Sequence, residues 1–206
     1  LTALGTIADL APITGENRIL AYHGLQELTC TQKSGLAALK KVAGCLNKDI
    51  KTTDVGFLLG PRINAAGRLK TADSGVKLLI SENTEEAEII AKSLDETNRE
   101  RQNIQKEIFN EAVELIDSNP YLKDSYTTVL ASKNWHQGVL GVVASKLLSK
   151  YYKPTILISL NGSMGKASGR SIEGFNLYKS VSKCGSLLKK YGGHEMAVGF
   201  SIEKDM

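Results

Sequence analysis

The sequence predicts an α/β protein with two bodies joined by one long helix, and three observations carry that prediction. From Thr84 to Ser118 there is no Gly or Pro and helix formers dominate. Before that segment the apolar spacing is helical, whereas after Asn119-Pro120 short apolar runs alternate with helical patterns, as in a small α/β module. The charge divides along the same line: residues 1–118 carry a net −3 and residues 119–206 a net +7, within an overall +4. The boundaries expected are therefore 1–83, 84–118 and 119–206.

At 206 residues and 42% apolar content the chain can bury one large or two modest cores. Its longest apolar runs fall far short of the ~18 residues a membrane span needs, so no membrane association is expected. Cys30, Cys45 and Cys184 lie far apart without CxxC spacing. That argues against a disulfide framework or a thiolate zinc site, and for a reducing cytoplasm. A start without initiating Met or basic region, and an ending directly after a strand, read as cut ends.

Residues 1–10 are nearly all apolar, with Asp9 the single carboxylate and Pro12 closing the segment. A carboxylate there either meets a metal or a cation, or caps a helix or turn. Residues 17–28 and 34–44 read as helices, with His23 structural. The stretch 60–68 then sets Arg62, Asn64 and Arg68 among glycines and small residues. Either arginine can clamp phosphate, pair with a catalytic carboxylate, or bridge two elements.

The helix over 84–118 should run about 50 Å at 1.5 Å per residue, with Asn83 or Thr84 as cap and Glu85, Glu86 and Glu88 favourable in its first turns. Its apolar residues fall at Ile89, Ile90 and Leu94, and again at Ile104, Ile108, Phe109, Val113 and Ile116, whereas residues 95–103 contain none. The pattern predicts a helix packed at both ends with its middle in water, bridging two bodies beside a ligand groove.

In the last third, strands are expected at 127–131, 155–160, 163–167 and 196–202, and helices at 138–151 and, largely, 175–190. Trp135-His136-Gln137-Gly138 falls at a strand-to-helix turn. There an aromatic can stack on a base and helix N–H groups can take a phosphate, or Trp135 is core and His136 a cap. Gly165-Lys166-Ala167-Ser168-Gly169-Arg170-Ser171 packs glycines, hydroxyls and cations into seven residues. It reads as an anion-holding loop, or else as a glycine-rich hairpin turn with solvated cations. Tyr191-Gly192-Gly193-His194 reads as a tight turn whose histidine can face the same anion.

Five segments in order resemble the DHH/DHHA1 phosphoesterase superfamily and, within it, the RecJ-type single-stranded-DNA exonucleases. They are residues 4–12 with Glu16-Asn17-Arg18, residues 60–68, residues 135–141, Ser168-Gly169-Arg170-Ser171, and Gly192-Gly193-His194. The resemblance implies an α/β chain made of the C-terminal part of a DHH domain, a connecting helix and a small α/β DHHA1 domain that binds nucleic acid. It implies Mn²⁺ or Mg²⁺ as cofactor, with Asp9 as a metal ligand, and Asp9, Arg62, Asn64 and Arg68 as the catalytic side. Trp135, His136, Ser168, Gly169, Arg170, Ser171, Gly192, Gly193 and His194 would meet the nucleic-acid strand and its phosphates.

The implied activity is hydrolysis of phosphodiester bonds in single-stranded DNA by a metal-activated water, 5′ to 3′, in DNA repair and recombination. A monomer with single-stranded DNA and a single-strand-binding protein as partners goes with it. The departure is equally specific. The family's Asp-x-Asp and Asp-His-His segments precede the stretch matching Asp9, and this sequence contains no Asp-His-His. One carboxylate cannot hold a two-metal centre, so the chain is expected to be a C-terminal fragment, inactive alone. The alternatives are a DHH-type oligoribonuclease or nucleotide phosphatase, and a non-catalytic single-strand-binding relative.

Overall fold

The computed structural model describes residues 1–203. The chain divides into two compact units, Leu1–Arg101 and Gln102 onward, and the division falls inside one helix.

The first unit is helical throughout, as its apolar spacing requires. Its elements are α1 (Thr2–Ala8), α2 (Gly15–Cys30), α3 (Ser34–Val42), α4 (Thr52–Asp54), α5 (Gly60–Leu69), α6 (Asp73–Ile80) and the first part of α7 (Thr84–Ser118). Leu4, Leu28, Leu39, Leu59, Leu78 and Leu94 form the centre of the core. Between α4 and α5 the chain makes a π turn, Val55–Leu59. Pro61 follows in the first turn of α5 and has no N–H to donate, which favours this looser winding. Lys40 is buried, and its ammonium donates to the carbonyls of Leu28 and Thr29, closing the C-terminus of α2.

Helix α7 has the bounds that composition predicts, 35 residues without a break, and the Asn83 side chain accepts from the Glu86 N–H at its start. Its middle differs in part from the expectation. Asp95, Thr97 and Asn98 are 7%, 3% and 2% exposed, so one side of the apolar-free stretch is buried while Glu96, Arg99, Glu100, Gln102 and Asn103 stay exposed as expected. The physical reason for the burial is that each of the three has a polar partner. Arg62 on α5 donates Nε to Asp95 at 2.9 Å, and Arg99 reaches the other oxygen of the same carboxylate at 2.9 Å. The Thr97 hydroxyl donates to the Ser93 carbonyl, and Arg101 donates to the Asn98 side-chain oxygen. Buried polar groups need partners rather than water.

The second unit holds the rest of α7, then α8 (Pro120–Asp124), β1 (Thr128–Ser132), α9 (Leu140–Tyr151), β2 (Thr155–Asn161), β3 (Met164–Arg170), α10 (Leu177–Ser182), β4 (Leu188–His194) and β5 (Ala197–Glu203). The strands form one sheet in the order β1-β2-β3-β5-β4. Only β1 and β2 are parallel, and α9 supplies the crossover that a parallel pair needs. Two expectations fail here. The anion-loop reading of 165–171 fails because the strand expected at 163–167 runs on as β3 to Arg170, between two neighbours. Residues 188–194 are not the end of a helix followed by a turn but strand β4, and the hairpin turn is Glu195-Met196.

The glycines of β3 explain the first failure. Gly165 and Gly169 are buried, and a Cβ on Gly169 would stand 2.8 Å from Val198 Cγ2 and 3.0 Å from Leu177 Cδ2. Gly169 is small so that Leu177 and Val198 can pack against the sheet, and Gly165 so that Ile202, Ile158 and Leu160 can, not so that a ligand can reach the backbone.

Candidate functional site

Register decides which side chains of the sheet share a face, since residues directly opposed in an antiparallel pair point the same way. Arg170 opposes Ala197, and Ala197 opposes His194. Ser168 opposes Gly199 and through it Gly192; Lys166 opposes Ser201 and through it Lys190. Lys166, Ser168, Arg170, Lys190 and His194 therefore lie on one face. The other face carries Gly169, Val198 and Phe200 against α10.

Helix α9 packs over β2 and β3 on the polar face. Its first turn sits on Arg170: a Cβ on Gly141 would stand 2.8 Å from Arg170 Nη2 and 3.0 Å from Ser168 Oγ. The guanidinium folds back along β3, and its Nη1 donates to the Gly169 carbonyl at 2.8 Å and to the Ser168 hydroxyl at 3.3 Å. A guanidinium beside the N–H groups of a helix start makes two kinds of donor converge on one place, and that place favours an anion. Beyond α9, over β5 and β4, the face is open, with Lys190, Gly192, His194 and Gly199 exposed.

Both histidines of this unit are held alike. His136 Nδ1 accepts from the Gly138 N–H at 3.1 Å, and His194 Nδ1 accepts from the Met196 N–H at 3.3 Å. An accepting Nδ1 places the proton of a neutral ring on Nε2, which makes Nε2–H the donor of each histidine. The φ of +141° at Gly193 belongs to a conformation that L side chains rarely adopt, and a Cβ there would strike the Ala197 carbonyl. Glycine at 193 thus allows the close approach of β4 to β5 that sets His194 in line with Arg170.

Three residues expected at the interface are not available to it. Trp135 is 2% exposed, and its indole N–H donates to Glu111 at 2.8 Å, so it is core and cannot stack on a base. Ser171 is buried, its N–H donating to the Met196 carbonyl and its hydroxyl to the Phe175 carbonyl, which fixes the turn after β3. Gly169 faces the α10 core, as above. Glu111 carries no motif in the sequence, yet its carboxylate takes both the Trp135 indole and the Ser132 hydroxyl and so anchors the β1–α9 connection.

In the first unit the structure brings Asp9 and Asn64 into one cleft of about 250 Å³, lined also by Leu4, Gly5, Ala8 and Ile63. Asp9 ends α1, and its N–H donates to the carbonyl of Gly5. Arg62 lies elsewhere: besides Asp95 it donates Nη1 to the Leu58 carbonyl at 2.8 Å, so of its expected roles the geometry supports the bridge between two elements and not the phosphate clamp. Arg68 is exposed near Arg101, whose pKa is lowered by burial and then by the charge of Arg68.

The DHHA1 domain family matches residues 123–206. Over the full length of the chain, the single-stranded-DNA-specific exonuclease RecJ of Bacillus subtilis is 42% identical, and that of Escherichia coli 37% identical. The chain is thus similar to DHHA1 domains over residues 123–206 and to RecJ exonucleases along its length. Solved structures of Thermus thermophilus RecJ with Mg²⁺ and with Mn²⁺ superpose on 98% of the chain with TM-scores of 0.88 and 0.87 at 32% identity. The chain spans 26% of the Bacillus protein, 37% of the Escherichia protein and 31% of the Mg²⁺-bound Thermus chain.

The residues at Asp9 do not fit a divalent-metal centre by themselves. Asp9 is the sole carboxylate lining its cleft, and no group of three or more His, Cys, Asp or Glu able to hold a metal occurs among the described residues. A Mg²⁺ or Mn²⁺ site wants about six oxygen or nitrogen donors, several of them anionic. No helix of the described residues is long and apolar enough to cross a membrane.

Proposed function

We propose that this chain forms the strand-holding part of a metal-dependent exonuclease that hydrolyses single-stranded DNA. The observation that carries the proposal is the arginine under the α9 start: Arg170, Ser168 and the first turn of α9 converge on one anion position on a face that continues, open, to His194. That arrangement takes a phosphate of the nucleic-acid backbone, the guanidinium neutralising it and the Ser168 hydroxyl and helix N–H groups adding donors. His194 Nε2–H and the Lys190 ammonium continue the donor row across β4. The net +7 of residues 119–206 supports a polyanion over a single phosphate metabolite.

The similarity to RecJ exonucleases supports single-stranded DNA as the polyanion and a divalent metal as the agent that activates the attacking water. Asp9 is proposed as one ligand of that metal, with Asn64 beside it, and the remaining donors are not among the described residues. The chain's own residues bind and orient the strand, and no bond cleavage is assigned to them. Incubation of the chain with end-labelled single-stranded DNA and Mn²⁺ tests this: strand retention without end-degradation is expected, whereas steady release of nucleotides that survives Asp9→Ala would overturn it.

A further inference from the structure

A second cleft, of about 410 Å³, opens between the β1–α9 connection and the β2–β3 hairpin. Lys133, Asn134 and Gln137 line it from the connection, and Asn161 and Lys166 from the hairpin. Its size is that of a pocket for one small organic ligand. No carboxylate lines it, so its two ammonium groups call for an anionic guest. Among the described residues none of these five side chains has a hydrogen-bond or ion-pair partner. Three of them are amides, each able to donate and accept, the pairing that the edge of a nucleobase demands.

The position of the cleft relative to Arg170 is set by the strand. Arg170 folds its guanidinium back to the level of Ser168. Lys166 leaves β3 two residues further along on the same face, a distance of about 6.8 Å along the strand, close to one backbone step of an extended nucleic-acid chain. We infer that this cleft is a nucleotide pocket: it takes the nucleotide next along the strand from the phosphate on Arg170, with Lys133 and Lys166 meeting its phosphate and Asn134, Gln137 and Asn161 meeting its base edge. The inference rests on the proposed strand-holding role of Arg170 and adds a base-contacting position to it.

A scan with abasic sites reads the pocket directly. The chain is titrated, with metal withheld, with a 5′-phosphorylated oligothymidylate of about eight nucleotides carrying a 3′ fluorophore, and with a series in which one abasic site moves along the strand. One position should weaken binding about tenfold, in line with the value of a good base contact, while its neighbours change little. In the Gln137→Ala/Asn161→Ala double variant that sensitivity should vanish. A flat scan, or a sensitive position that persists in the double variant, overturns the pocket. If Arg170→Ala still weakens binding in that case, the strand-holding role stands without the pocket. If Arg170→Ala binds as the parent does, both fall.

Discussion

Gly141 and Arg170 touch across the packing of α9 on β3, so closely that a Cβ on the glycine would stand 2.8 Å from the arginine's Nη2. A side chain at 141 would crowd the guanidinium, a flexible end that can shift away from the helix start. Gly141→Ala should therefore displace Arg170 and lower single-stranded-DNA affinity about three- to tenfold. Unfolding free energy should stay within about 1 kcal/mol of the parent, because alanine is the better helix former and offsets part of the crowding. Fluorescence anisotropy and urea unfolding measure the two quantities. Unchanged affinity would mean that the packing of Gly141 on Arg170 has no bearing on binding.

The Arg62–Asp95 pair makes the opposite prediction, a large effect on stability. The side chains are 14% and 9% exposed, so removing the arginine leaves a carboxylate in the interior with only the exposed Arg99 beside it. Arg62→Ala should cost about 3–5 kcal/mol in urea unfolding. The Arg62→Ala/Asp95→Leu double variant should lose less than the sum of the single losses, because the stranded charge is gone. A loss under about 1 kcal/mol in Arg62→Ala would place the pair in solvent instead.

Trp135 is the single tryptophan of the chain and reports on its own role. Buried and bonded to Glu111, it should emit as an interior indole, and because it also borders the cleft beside the β2–β3 hairpin, saturation with single-stranded DNA should shift that emission without the strong quenching of a stacked base. Strong quenching on binding would restore the stacking role. Glu111→Gln should shift the emission to the red as the anchor loosens.

What the sequence makes legible follows from how local each signal is. Helix α7 is readable to the residue because propensity and the Asn83 cap act within one element. The burial of Asp95 and Asn98 is not, since the partner that neutralises Asp95, Arg62, lies 33 positions away and the apolar pattern carries no trace of it. Strand β3 is legible over 163–167, but its extension to Arg170 is hidden because Gly169 suggests a loop, and only the neighbouring Val198 and Leu177 show why a glycine is needed there in a sheet. Strand β4, with Lys189, Lys190, Gly192 and Gly193 all exposed, has little apolar alternation to announce it. Arg170, Ser168 and His194 are legible as a set from the order of the motifs, but that they share one sheet face depends on register. Gly141 gives only the weak signal of a glycine in a helix start.

If Arg170 holds a backbone phosphate, the salt dependence of binding reads it out. The chain and its Arg170→Ala variant are titrated with the same single-stranded oligonucleotide, metal withheld, from about 50 to 200 mM salt. The variant should bind more weakly at every concentration, with a slope of log K against log salt shallower by about 0.7, the value of one neutralised phosphate on a single strand. Equal affinity with an unchanged slope would contradict it, and would make Arg170 a packing residue between α9 and β3.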